Sequence, residues 1–157
     1  MDMNNRREGK MELRHRIIQD YNIQNLKGVT VFIDSNLFRL QDIYDSFGEQ
    51  IYTGGRECLN PIFENTQYFG KGLDSFSDCL LSAVVRAKLP ISIVHLGIPD
   101  ISIESLKNYL EVIFDSVQKL RDSDKNKSSR LSIYFSKAAI RDTRLIAATN
   151  MIKSEWG

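Results

Sequence analysis

Ile91-Ser92-Ile93-Val94-His95-Leu96 is a short, almost uninterrupted apolar run rich in β-branched residues. Such a run reads as a strand buried on both faces of a sheet. Two other segments have the same character, Val29-Thr30-Val31-Phe32-Ile33 and Leu131-Ser132-Ile133-Tyr134-Phe135. Between them the apolar spacing changes to the helical period. Leu40, Ile43, Tyr44, Phe47 and Ile51 predict one helix, and Leu73, Phe76, Leu80 and Val84 a second that opens near Gly72. Leu106, Tyr109, Leu110, Ile113, Phe114, Val117 and Leu120 predict the longest, with Ser102 as its N-cap. Strands joined through helices of this length are expected to run parallel, with right-handed crossovers. The expected fold class is therefore α/β, a small three-stranded parallel sheet packed with helices.

The 157 residues suit one domain able to bury about 68–70% of its unfolded surface. No metal or disulfide is needed for its stability. The two cysteines, Cys58 and Cys79, cannot build a disulfide framework and read as free thiols of a reducing compartment. The opening twenty residues are dense in charge, without the apolar core of a secretory signal, and no apolar run reaches the length of a membrane span. A cytoplasmic protein is the expectation. The Gly54-Gly55 pair and Asp122 to Arg130 read as loops, and Ala138, Ala139, Ile140, Leu145, Ile146, Ala147 and Ala148 predict helix packed on the sheet.

The net charge of +1 conceals an uneven distribution. Residues 41–80 carry seven acids (Asp42, Asp45, Glu49, Glu57, Glu64, Asp74, Asp78) against Arg56 and Lys71, a balance of −5. Residues 119–153 carry nine bases against Asp122, Asp124 and Asp142, a balance of +6. An acidic half of this kind steers a basic partner surface toward itself.

Within the acidic half, Tyr68-Phe69-Gly70-Lys71-Gly72-Leu73-Asp74-Ser75-Phe76-Ser77-Asp78-Cys79-Leu80 sets two aspartates one helical turn apart, opposite the apolar stripe. Like charges at this spacing weaken an isolated helix by about 0.2–0.5 kcal/mol, so folding alone gives little reason for the pair. A partner surface does.

Tyr68-Phe69-Gly70, Leu73-Asp74 and Asp78-Cys79-Leu80, at their fixed spacing, resemble the signature of the barstar family, small cytosolic proteins that plug the active sites of ribonucleases. The resemblance spans about residues 29–136, leaving 1–28 and 137–157 as N- and C-terminal extensions of a single 1–157 domain. It implies a barstar-like fold and an immunity protein that inhibits a cognate toxin ribonuclease in a one-to-one complex. On that likeness, Asp78 matches the carboxylate that enters the phosphate site of the nuclease, and Asp74 a second contact. Tyr68 matches an aromatic contact, and Gly70 and Gly72 would let the loop close on its partner. Lys71, Gly72 and Ser77 depart from the family, which often has a polar or acidic residue, Asn and Trp there, and imply a specificity of its own. No catalytic residue, metal, cofactor, nucleic acid or membrane is expected to take part.

The plainer readings are solvated acids at positions 74 and 78, a core Phe69, and a satisfied core histidine at His95. Gly70-Lys71-Gly72 lacks the full glycine pattern of a phosphate loop and does not follow a strand. The competing function is a metal-dependent nuclease: Asp34 just past a buried strand, Asp142 and one more acid resemble the acids that PIN-type nucleases gather around Mg²⁺ or Mn²⁺. A barstar-like adaptor for a non-nuclease protein is the third reading.

Overall fold

A computed structural model describes residues 28–52, 68–87, 90–123 and 130–156. Gly54-Gly55, Cys58 and most of the loop expected before the third strand lie outside the described residues. The elements run in the order β1 (Val29–Ile33), α1 (Leu40–Tyr52), α2 (Leu73–Ala87), β2 (Ile91–His95), α3 (Ile103–Ser123), β3 (Leu131–Phe135), α4 (Lys137–Ile140) and α5 (Thr143–Trp156). The expected loop starts later than Asp122, because α3 continues through Ser123.

The three strands form one parallel sheet in the order β1-β2-β3. The register is even, with Val29 beside Ile91 beside Leu131 and Ile33 beside His95 beside Phe135. Being central, β2 is buried at all five positions, whereas β3 alternates, with Leu131, Ile133 and Phe135 inward. The unbroken apolarity of Ile91 to His95 follows from that position. At the outer edge of β1, the Gln50 side chain takes the place of a neighbouring strand. Its Nε2 donates to Phe32 O at 2.9 Å and its Oε1 accepts from Phe32 N–H at 2.8 Å.

Helices α1, α2 and α3 meet in an aromatic cluster. Tyr44 stacks on Phe76 with centroids 4.8 Å apart, Phe47 meets Phe76 edge-on at 5.0 Å, and Tyr109 lies 6.2 Å from Phe76. Such pairs contribute about 0.5–1.5 kcal/mol each beyond the area they bury. Phe76 is fully buried, as are Leu80 and Val84 on the same stripe of α2.

The C-terminal segment is two helices rather than one, and the longer packs mainly on α3 instead of on the sheet. Asp142 makes the break. Its carbonyl accepts the first α5 bond from Ile146 N–H, while its carboxylate accepts from Arg144 N–H, the pattern of an N-cap. Leu145, Ala148 and Ile152 join the core cluster, and Lys107 of α3 pairs with Glu155 of α5 at 2.9 Å. The core thus continues past residue 136. No helix among the described residues is long and apolar enough to cross a membrane.

His95, at the end of β2, is buried and satisfied. Its Nδ1 lies 3.0 Å from Tyr134 O and its Nε2 2.8 Å from Tyr109 Oη. A carbonyl can only accept, so Nδ1 carries the proton and Nε2 accepts from the tyrosine hydroxyl. The ring stacks on Phe135 at 4.3 Å. Burial disfavours the imidazolium and lowers its pKa from 6.5 to about 4, against a smaller raising effect of the Tyr134 carbonyl. Within that window the unfolded chain binds the extra proton, so folding stability falls as pH falls through it. Urea unfolding at pH 7.5 and at pH 5 should differ by about 2 kcal/mol from this source. The difference should shrink by that amount in His95→Gln; an equal loss in both proteins would acquit His95.

Candidate functional site

The motif segment enters the fold through Phe69. Its ring is buried 5.7 Å from both Phe47 and Phe76, which pins the chain immediately before Gly70. Gly70 then adopts φ +105°, in the left-handed region that side chains avoid. A Cβ there would stand 2.6 Å from Phe76 N and 2.9 Å from Phe76 Cα. Only a hydrogen lets this backbone lie against the first turn of α2. Gly70 is thus buried scaffold, whereas Gly72 is exposed, with open space where a Cβ would go.

Gly72 is the N-cap of α2, its carbonyl accepting from Phe76 N–H at 2.9 Å. Having no side chain, it cannot cap for itself. Ser75 serves from within the helix: its Oγ accepts from Lys71 N–H at 3.0 Å and Gly72 N–H at 3.1 Å. From α1, Gln41 Nε2 donates to Gly70 O at 3.2 Å and to Asp45 Oδ1 at 2.8 Å. The start of α2 is therefore held by its own serine, by the neighbouring helix and by the aromatic cluster.

On this fixed turn Asp74 and Asp78 are both exposed. Neither carboxylate has a partner among the described residues. Asp74 lies in the first turn, where the positive end of the helix dipole favours an anion. Asp78 has no such compensation and stands one turn from a like charge. Tyr68 is half-buried at the entrance to the segment. Behind the face, Cys79 is buried, its thiol pushed up first by burial and second by the Asp78 charge. It is kept as a thiol.

Topology places these residues at one end of the molecule. Strand β1 delivers the chain to α1 at the carboxyl edge of the sheet, and α2 delivers it to β2 at the amino edge. The first turns of α1 and α2 therefore both lie at the carboxyl edge, linked by the bond from Gln41 to Gly70 O. Asp45 on α1 enlarges the acidic face. Gln41 was not singled out in the sequence, and Asp45 was counted only among the seven acids of its half, because nothing local in residues 40–52 announces a contact with residue 70. Ser75 had a visible signal, a capping residue at the third helical position after a glycine.

Of the two acids named for metal chemistry, Asp142 is paired with an arginine and Asp34 takes part in a local turn. Arg144 binds both carboxylate oxygens of Asp142, at 3.2 Å from Nε and 3.0 Å from Nη2. This guanidinium holds the Asp142 carboxyl below the usual carboxylate range. Asp34 Oδ1 accepts from Asn36 N–H at 2.9 Å in a local turn. Among the described residues no group of three or more His, Cys, Asp or Glu is placed to share a cation. Comparison of the chain with protein-family models, with curated proteins and with solved structures finds no match.

Substitution separates the two glycines. Gly70→Ala should destabilise the fold by about 1–3 kcal/mol, the range for strained backbone. Gly72→Ser, which supplies a capping oxygen in open space, should be neutral or stabilising by a few tenths of a kcal/mol. Equal effects in urea melts would show that Gly70 is not the tight position.

Proposed function

We propose that the protein is a barstar-like immunity protein that binds a cognate toxic ribonuclease one to one and occludes its active site with Asp74 and Asp78. A single observation carries the reading: two exposed carboxylates, unpaired among the described residues, stand one turn apart on a helix whose first turn is fixed from three sides. Stiffness matters as much as charge. A ribonuclease holds its substrate phosphates with arginine, lysine and histidine, and a carboxylate presented at the same place forms charge-assisted hydrogen bonds with them. A preformed acidic turn meets that site without the ordering cost of a mobile loop.

The division of labour is the one that the barstar resemblance implies. Asp78 is the residue that enters the phosphate site, and it lies beyond the compensation of the helix dipole. Asp74 flanks it, Tyr68 supplies an aromatic contact, and Gly72 leaves room for the partner to approach the backbone. Gly70 acts indirectly, by permitting the geometry. The exposed Lys71 tempers the local negative potential and contributes to partner choice. The protein acts by binding rather than by turnover.

Asp78→Ala should weaken the complex with the cognate toxic ribonuclease by about 2–5 kcal/mol, as for removal of one member of a buried charge pair. It should also abolish survival of cells expressing the toxin. The same change removes a like-charge contact, so the free protein should become more stable by about 0.2–0.5 kcal/mol. Calorimetric titration and urea melts read the two effects separately. Unchanged affinity in an Asp74→Ala/Asp78→Ala double variant would place the interface elsewhere.

A further inference from the structure

We infer that Phe38 is the apolar anchor of the same interface, its ring inserting beside the cationic centre of the partner ribonuclease; this rests on the proposed function. Phe38 is 63% exposed, the most exposed large apolar side chain among the described residues, the next being Ile146 at 48%. Isolated exposed apolar residues are ordinary on protein surfaces. This one differs in how it is held.

The chain on both sides of Phe38 is tied down. Leu37 packs on the core, and its carbonyl accepts from Asp100 N–H at 2.8 Å. The Phe38 and Arg39 N–H groups both donate to Asp42 Oδ2, at 3.3 and 3.2 Å, closing the first turn of α1. Arg39 in turn donates to Asp42 Oδ1 at 2.9 Å. The ring is presented outward on a backbone with little freedom. An apolar residue just before a helix N-cap ordinarily folds onto the fourth helical residue as a staple. Here that residue, Ile43, is buried in the core, and Phe38 stays in solvent. Its ring takes no place in the core cluster.

Its surroundings name the partner chemistry. Phe38 immediately precedes the first turn of α1, its N–H donating to Asp42, and in that turn Gln41 bonds both Asp45 and the Gly70 carbonyl. Phe38, Asp45 and the start of the Asp74/Asp78 helix therefore lie at the same end of the molecule, linked through the first turn of α1 and Gln41. A rigid aromatic beside desolvated charge pairs is the composition of an interface hot spot, and immobilising a ring with two rotatable bonds costs little. The occupant is a protein with a cationic cleft and an apolar rim. A second copy of this chain would set acids against acids.

The test uses the cognate ribonuclease domain of the proposed function, catalytically silenced, in surface-binding kinetics with wild type, Phe38→Ala and Asp78→Ala at low and high salt. Phe38→Ala should raise Kd by about 10- to 30-fold, mostly through faster dissociation. That factor should be insensitive to salt, whereas the Asp78→Ala loss should shrink as salt rises. Because the ring lies outside the core, urea melts of Phe38→Ala should overlay those of wild type. If Phe38→Ala binds like wild type while Asp78→Ala is impaired, the anchor is overturned and the proposed function stands. If neither variant is impaired, both readings fail together. A dimer of the free protein seen by sedimentation and lost in Phe38→Ala would assign the ring to self-association and overturn the inference.

Discussion

Phe69 and Phe76 stand on either side of the tightest backbone approach in the motif segment and bury their rings in the same cluster, against Phe47. Between them the chain must turn into a helix within a few residues, and Gly70 is the position that lets it do so. If the rings were not both drawn inward, the turn would have no reason to be tight. If Gly70 carried a Cβ, the rings could not both be reached without moving the first turn of α2. The direction of Asp74 and Asp78 is fixed by the same packing, since a helix that buries Phe76, Leu80 and Val84 must turn residues 74 and 78 to solvent. Core and candidate site are two sides of one constraint.

The acids of the chain divide into those used inside the fold and those left over. Asp42 closes the first turn of α1 and is held below the usual carboxylate range by its bond to Arg39. Asp142 caps α5 and binds Arg144, which also reaches the carbonyls of Ile98 and Pro99 and the Asp100 carboxylate. All donor positions of that guanidinium are engaged, joining the loop after β2 to the C-terminal helices. Asp74 and Asp78 have no comparable task among the described residues. Carboxylates held in place yet unpaired among the described residues are what an external cation requires, and this contrast is the physical basis of the proposal that a partner takes them up.

Charge counted along the chain exaggerates the separation of signs. Of the basic stretch, Arg144 is spent on Asp142 and Asp100, and Lys119 pairs with Asp115 at 3.3 Å. On the acidic side Asp42 is likewise neutralised by Arg39. The effective negative face is therefore smaller than the balance of residues 41–80, carried among the described residues by Asp45, Glu49, Asp74 and Asp78. A compact anionic patch selects a cationic cleft more sharply than a diffuse acidic half would.

Period alone determined the strands Val29 to Ile33, Ile91 to His95 and Leu131 to Phe135 and the three helices between them, because a side chain's apolarity and its spacing are local properties. The outward position of Asp74 and Asp78 was legible for the same reason, being the complement of the apolar stripe. The bond from Gln41 to Gly70, the commitment of Asp142 to Arg144, the joining of α5 to α3 and the exposure of Phe38 were decided by tertiary structure. Each depends on residues distant in the chain or on which of two apolar residues the core has room for. Gly70 lies between these cases: its identity marks a tight place, but only the backbone of Phe76 beneath it shows why no other residue fits.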